Sequence, residues 1–159
     1  MNSKNPYTDR AVIREINHFY GRKLEISRIY SRIGAYNPQS VSIVGDRHIG
    51  KSSLLYFIYN EENRKKYLDE PESYIFVLMD LQEEPKDTIP SFIESLLSSI
   101  SESLGHKVKF GGRNEYDALK RLAMELRRQK RKLIMLFDEF ELITQNEAFD
   151  PAFYAFFRG

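Results

Sequence analysis

The chain has 159 residues, 42% of them apolar and 13% aromatic, and its 24 Lys and Arg residues nearly balance its 23 Asp and Glu residues. This composition predicts a globular domain with a real core, and the net charge of +1 gives no whole-chain reason to expect nucleic acid or an anionic membrane as partner. The chain also lacks cysteine, a signal-like apolar core and any apolar run long enough to span a bilayer, which excludes disulfides and predicts a cytoplasmic protein.

Residues 1–36 are predicted to be an N-terminal region that precedes the core. Residues 1–20 carry polar turn formers and are expected to form an extended arm. From Lys23 to about Tyr36, apolar residues recur at the spacing of an amphipathic helix, with arginines and a glutamate on the other face. The apolar face of this predicted helix consists of Ile26, Ile29, Tyr30 and Ile33.

The core, predicted over residues 37–159, begins with a phosphate-binding motif. A buried strand is expected over 40–44, followed by a Gly-x-x-x-x-Gly-Lys-Ser loop and a helix that begins at Lys51. Backbone N–H groups of such a loop, together with the positive end of the helix, bind polyphosphate; Lys51 reaches the β and γ phosphates and the Ser52 hydroxyl ligates Mg²⁺. The predicted nucleotide-binding residues of the loop are Gly45, Asp46, Arg47, His48, Ile49, Gly50, Lys51, Ser52 and Ser53.

Three further elements are predicted between this motif and the second half of the site. The continuous apolar run 74–80 is typical of a buried parallel strand, and Asp80 at its end is expected to cap the following loop. A helix is expected from Thr88 to Gly105 and another from Asn114 to about Arg128. The basic run 127–132 is interpreted mainly as a solvated helix end, with nucleic acid as the minority interpretation.

The second half of the site is predicted at 132–141, where an apolar strand ends in the acids Asp138 and Glu139. This pattern is a Walker B element. Asp138 is predicted to hold Mg²⁺ through water, and Glu139 to polarise the attacking water as general base. Because ligands of open α/β sheets bind at the carboxyl ends of the strands, the position of both acids agrees with this role.

The motifs distinguish among the branches of P-loop proteins. An Asp-x-x-Gly element does not follow Asp138, and an Asn-Lys-x-Asp element occurs nowhere in the sequence, which argues against a GTPase. The Asp-Glu pair and the extra strand between the two motifs favour an ATPase with a catalytic glutamate. ATP and Mg²⁺ are therefore the expected ligands.

Several segments together resemble the prokaryotic AAA-like and STAND-type signalling ATPases. The resemblance extends over nearly the whole chain, and its segments are 5–7, 19–25, 41–55, 80–82 and 137–141. It implies a three-layer α/β core with a parallel sheet. It also implies that Tyr20, Gly21 and Arg22 border the nucleotide, and that self-association or a protein partner accompanies the ATP cycle.

The pattern of these ATPases breaks off after the Walker B element, because no segment beyond Asp138 reads as the strand that carries sensor 1 in this family. Residues 146–157 contain aromatics at helical spacing and predict a short helix instead. We therefore expect an incomplete core and a truncated product or fragment. The Walker A strand then has unpaired backbone or pairs directly with the Walker B strand, and self-association is expected through this gap.

Three functions follow from these features. The leading hypothesis is Mg²⁺-dependent ATP hydrolysis, with Lys51 and Glu139 as catalytic residues, that drives a conformational or assembly change in signalling. The second is a nucleotide-gated interaction switch with little turnover. The third is a DNA-associated ATPase of the replication-initiator kind, which predicts salt-dependent DNA binding through 127–132.

Overall fold

The structure, a computed structural model, describes residues 21–83, 88–106 and 114–158, without the side chains of 115 and 158. The predicted arm 1–20, including Tyr20, lies outside these residues. The chain divides into two compact units, Met1–Asp69 and Glu70–Gly159. The boundary that the sequence suggested, between 36 and 37, stays a prediction.

The described part of the first unit contains three helices: α1 (Lys23–Gly34), α2 (Lys51–Tyr59) and α3 (Glu61–Tyr67). The predicted helix α1 is confirmed, and its four expected apolar residues are buried. The sequence did not predict α3, although Asn60 caps it by accepting hydrogen bonds from the N–H groups of Glu62 and Asn63, at 2.9 and 3.3 Å.

The first unit is held together around Tyr30 of α1. Its hydroxyl donates a hydrogen bond of 3.0 Å to the carbonyl of Ile58 in α2, and its ring stacks on that of Tyr67 in α3 with centroids 4.7 Å apart. Burial of the hydroxyl raises the pKa of Tyr30, an effect opposed by the nearby positive charge of Arg64. One buried aromatic residue of α1 therefore contacts both other helices.

The strand predicted over 40–44 is wrong, because this segment forms no ladder with another strand. Val41 and Val44 are 40% and 89% exposed, so the segment is not buried either. An extended segment becomes a strand only when a neighbouring strand takes up its backbone N–H and C=O groups, and the described part of its own unit is otherwise helical. Of the two predicted alternatives, unpaired backbone is the one found among the residues that the structure describes.

The second unit is a small α/β core. Its elements are a 3-10 turn (Pro71–Ser73), β1 (Tyr74–Asp80), α4 (Ile89–Leu104), α5 (Glu115–Arg128), β2 (Lys132–Asp138), α6 (Glu141–Thr144) and α7 (Pro151–Arg158). The strands pair in parallel from Tyr74 opposite Lys132 to Asp80 opposite Asp138. This mixed architecture with a parallel sheet confirms the α/β class. Within the described ranges the sheet has two strands, as expected of an incomplete core.

Local signals set the helix ends of the second unit as predicted. Thr88 and Ser91 form a capping box at the start of α4, and Gly105 ends that helix in a left-handed conformation. Asn114 caps α5 by accepting a hydrogen bond from the N–H of Asp117 at 2.9 Å. The buried face of α5 consists of Ala118, Leu119, Leu122 and Leu126.

Phenylalanine rings form a cluster within the largely aliphatic core of the second unit. Phe92 of α4 is fully buried, and its ring lies within 6.2 Å, centroid to centroid, of four other phenylalanine rings. These four are Phe137, Phe149, Phe153 and Phe157. Because two of them belong to α7, the predicted C-terminal helix, this helix is part of the core.

Candidate functional site

The predicted phosphate-binding loop forms a tight turn in the first unit. The N–H of Ile49 donates to the carbonyl of Asp46 at 3.3 Å, and His48 and Gly50 adopt left-handed φ angles of 64° and 90°. Gly50 is the N-cap of α2, so the loop leads directly into the N-terminus of that helix. The chain reversal therefore places the loop at the positive end of a helix dipole.

The side chain of Lys51 folds back onto the loop that precedes it. Its Nζ donates hydrogen bonds to the carbonyls of Gly45 at 3.0 Å and Asp46 at 3.3 Å, so the ammonium group lies across the turn. A cation hydrogen-bonded to neutral carbonyls can exchange these acceptors for the charged oxygens of a phosphate. Ser52, the next residue, is half-buried, and Ser53 is buried.

Arg22 is brought to the same loop from the beginning of α1. Gly21 and Arg22 have left-handed φ angles of 86° and 53°, and the carbonyl of Arg22 accepts the first hydrogen bond of the helix, from Ile26 at 3.0 Å. The Arg22 guanidinium donates a hydrogen bond to the carbonyl of Ile49. The sequence associated Arg22 with the nucleotide only through a resemblance; the contact with Ile49 connects residues 27 positions apart.

A cavity of about 480 Å³ lies beside this contact, within the first unit. Its lining comprises Arg22, Glu25, Arg28, Ile29, Arg32, residues 41–44, Ile49 and Leu54. Apolar side chains and three guanidinium groups suit a ligand with an apolar body and negative charge. Sequence reasoning missed Arg28 and Arg32, which it assigned to the outer face of α1; their spacing of four residues, one helical turn, was the only available signal.

Two exposed residues of the loop, Arg47 and His48, are not among the residues that line this cavity. Arg47 and His48 are exposed, and Ile49 is 50% exposed. Backbone groups rather than side chains are therefore what these positions offer to a phosphate.

The acid pair lies in the second unit, at the carboxyl end of the parallel strands. Asp138 is the last residue of β2 and is 9% exposed. Its Oδ1 accepts a hydrogen bond of 3.1 Å from the N–H of Glu139. A buried carboxylate at this edge has the chemistry of a hard-cation ligand.

Asp80, the register partner of Asp138, has a structural role in the following loop. Its Oδ1 accepts a hydrogen bond of 3.0 Å from the N–H of Gln82, as the sequence predicted for a loop cap. The carbonyl of Asp138 accepts a hydrogen bond of 3.2 Å from the N–H of Leu81. The residue that follows β1 therefore adds one backbone hydrogen bond to Asp138 at the end of the ladder.

Glu139 has an unusual backbone for a residue with a side chain. Its φ angle is 53°, and its carbonyl accepts a hydrogen bond of 3.0 Å from the N–H of Leu142 at the start of α6. The residue is half-buried. Non-glycine residues in this conformation occur mainly where surrounding contacts impose them, often at functional sites.

The basic run has partners of its own. Arg128 pairs with Glu125 at 2.9 Å, and the ammonium of Lys132 lies 5.3 Å from the ring centroid of Tyr74. These contacts agree with the predicted solvated helix end. In the part of the chain that the structure describes, no three acidic or histidine side chains form a metal-binding group, and no helix is long and apolar enough to cross a membrane.

A glycine-rich loop at a helix N-terminus and an Asp-Glu pair at the end of a parallel strand are the two motifs of a P-loop NTPase. The family model described as Novel STAND NTPase 2 (nSTAND2) matches residues 35–159. The chain therefore belongs to this family of STAND-type NTPases, which confirms the resemblance noted in the sequence. No curated protein and no solved structure matches the chain significantly.

Proposed function

We propose that the chain binds ATP with Mg²⁺ and hydrolyses it, and that this cycle drives a conformational or assembly change in signalling. Membership of a STAND NTPase family supports nucleotide binding and hydrolysis in signalling at a coarse level. The family match does not specify the nucleotide, the ion or the roles of individual residues. We propose ATP, Mg²⁺ and the roles given below.

The position of the Lys51 ammonium is the observation that carries the proposal. It is bound to two carbonyls of the loop that precedes it. When the β and γ phosphates enter the loop, their oxygens replace these carbonyls, and the N–H groups of the loop and of the first turn of α2 bind the remaining oxygens. The cavity beside Arg22 is suited to the rest of the nucleotide.

The acids supply the hydrolytic half of the proposal. Ser52 and Asp138 offer hard oxygen ligands, which fit Mg²⁺, an ion that keeps several waters and is commonly held by one carboxylate and the substrate phosphates. The bound ion would neutralise charge that develops on the phosphoryl oxygens. Glu139 accepts a proton from the attacking water, and Lys51 stabilises the negative charge of the transferred group.

Calorimetric titration with MgATP and MgGTP tests the binding step. The wild-type chain should bind ATP more tightly than GTP, and Lys51→Ala should abolish binding. Lys66→Ala is the matched control, since Lys66 is an exposed lysine of the same unit. Equal binding by wild type and Lys51→Ala, or loss of binding in Lys66→Ala, would contradict the proposed site.

A nucleotide-gated switch with little turnover is the second candidate, because the family is a signalling family. Glu139→Gln distinguishes the two, since the amide keeps the size of the side chain but cannot accept the proton. If hydrolysis drives the output, this variant should bind ATP and lose the output. If ATP occupancy alone sets the state, the same variant should be permanently active.

A further inference from the structure

The left-handed backbone of Glu139 lies between two aromatic residues, Phe137 and Phe140. A left-handed conformation crowds the Cβ of any L-residue against the following carbonyl, so it persists only where neighbouring contacts require it. The φ angle of 53° at Glu139 therefore needs a structural cause.

The backbone N–H and the backbone carbonyl of Glu139 both form hydrogen bonds. Its N–H donates to Oδ1 of Asp138 at 3.1 Å, and its carbonyl accepts from Leu142 at 3.0 Å. Both bonds join residues close in sequence, and a hydrogen bond of this kind contributes only modestly to stability. A contact between the core and the residue that follows Glu139 also acts on this conformation.

Phe140 provides this contact with the core. Its ring stacks on that of Phe137, with centroids 5.7 Å apart and planes inclined by 29°. Phe137 in turn packs on the fully buried Phe92 at 5.8 Å and on Phe157 of α7 at 6.5 Å. The rings on either side of Glu139, those of Phe137 and Phe140, are therefore in direct contact.

The backbone after Phe140 is also fixed. The N–H of Ile143 donates to the carbonyl of Phe140 at 3.1 Å, and Ile143 is fully buried. The hydroxyl of Tyr154 in α7 donates to the carbonyl of Ile143 at 3.1 Å. With Phe137 fixed on one side and Phe140 on the other, the chain must reverse at Glu139, and a left-handed residue makes this reversal.

We infer that Phe140 is a positioning residue, whose stacking on Phe137 holds Glu139 left-handed and so fixes the Glu139 carboxylate relative to Asp138. The role of that carboxylate as general base rests on the proposed function. The backbone part of the inference does not, so the two can fail separately.

A thermodynamic cycle on unfolding tests the inference without any nucleotide. Glycine adopts left-handed conformations without strain, so Glu139→Gly should raise the ratio of folded to unfolded protein about three-fold in the wild-type background. In the Phe140→Leu background this gain should disappear, because the released chain can leave the left-handed region. If Phe140→Leu does not fold, Phe140→Met takes its place. In the Phe140→Tyr background, which keeps the ring, Glu139→Gly should again raise the ratio of folded to unfolded protein.

Phe156→Leu is the matched control background. Phe156 is half-buried like Phe140, but its ring packs on Tyr116 at 4.8 Å and on Phe157 at 5.3 Å, rather than on Phe137. The gain from Glu139→Gly should persist in this background. No gain in wild type, an equal gain with Phe140→Leu, or a gain lost in both leucine backgrounds would overturn the inference.

Turnover supplies a second readout that lost packing alone would not produce. Phe140→Leu should lower kcat for ATP at least about ten-fold and leave KM unchanged, because the base is misplaced while phosphate binding is intact. Phe156→Leu should leave both constants unchanged. If the wild-type chain binds ATP but does not hydrolyse it, the proposed hydrolytic function fails, and the unfolding cycle still decides whether Phe140 positions Glu139.

Discussion

Replacement of Gly50 by alanine tests whether the left-handed turn before Lys51 is required for nucleotide binding. Gly50 has a φ angle of 90° and is the N-cap of α2. A Cβ built on it would meet only the guanidinium of Arg22, at 3.8 Å, which is ordinary contact. The substitution therefore introduces backbone strain without a steric clash.

The expected cost follows from the backbone alone. A left-handed alanine costs roughly 1–2 kcal/mol, and alanine recovers about 0.5–1 kcal/mol by restricting the unfolded chain more than glycine does. The net loss is about 1 kcal/mol, or about five-fold in the unfolding equilibrium. If the loop instead relaxes to a right-handed turn, stability is kept and the N–H groups that we propose bind phosphate are turned away.

Two assays follow these two outcomes. Urea unfolding measures the lost stability, and calorimetric titration with MgATP measures the affinity. Gly105→Ala is the control, because Gly105 has a φ angle of 71°, a Cβ there would meet nothing within 4 Å, and the residue ends α4 in the second unit. It should cost the same stability and leave ATP affinity unchanged.

Wild-type stability together with wild-type ATP affinity in Gly50→Ala would show that the left-handed turn at Gly50 is not required. A fall in affinity as large for Gly105→Ala as for Gly50→Ala would also refute this requirement, because the effect would then follow global stability rather than loop geometry.

Two further predictions concern the cores of the two units. Because burial raises the pKa of Tyr30 above the value of about 10 of an unfolded tyrosine, the stability that its neutral hydroxyl contributes should be complete below pH 10 and be lost as the pH rises above 10. Urea unfolding between pH 8 and 11 should therefore show a free energy of unfolding that falls more steeply with pH for wild type than for Tyr30→Phe, and parallel curves would contradict this. Phe92→Ala should lower the free energy of unfolding by about 3–5 kcal/mol, because Phe92 is fully buried among four rings, whereas a loss below about 1 kcal/mol in the same assay would show that these rings do not form the core.

The elements with strong local signals were predictable. Strand β1 and strand β2 were read from continuous apolar runs, and α4 from its capping threonine, its apolar spacing and the terminal glycine. These signals act within a few residues of each other, so the sequence contains them in full. The same holds for the phosphate-binding loop and the Asp-Glu pair, whose residue types and spacing identified the family.

The strand predicted over 40–44 shows where this reasoning fails. Its apolar residues are typical of a buried strand, but a strand also needs a hydrogen-bonded neighbour. Apolar pattern alone does not supply one, and the segment is exposed and unpaired. Helix α3 was missed for the opposite reason, because its charged sequence has little apolar periodicity and its start depends on the Asn60 cap.

By itself the sequence determined the α/β class, the two motifs, the helix that follows the first motif and the strand that precedes the second, because these depend on residue types at short separations. Only the tertiary structure decided that Arg22 reaches the carbonyl of Ile49, that Asp80 and Asp138 are register partners, and that Glu139 is left-handed beside stacked rings. Each of these features depends on atoms brought together by packing, and packing energy is a property of the folded chain rather than of any one segment.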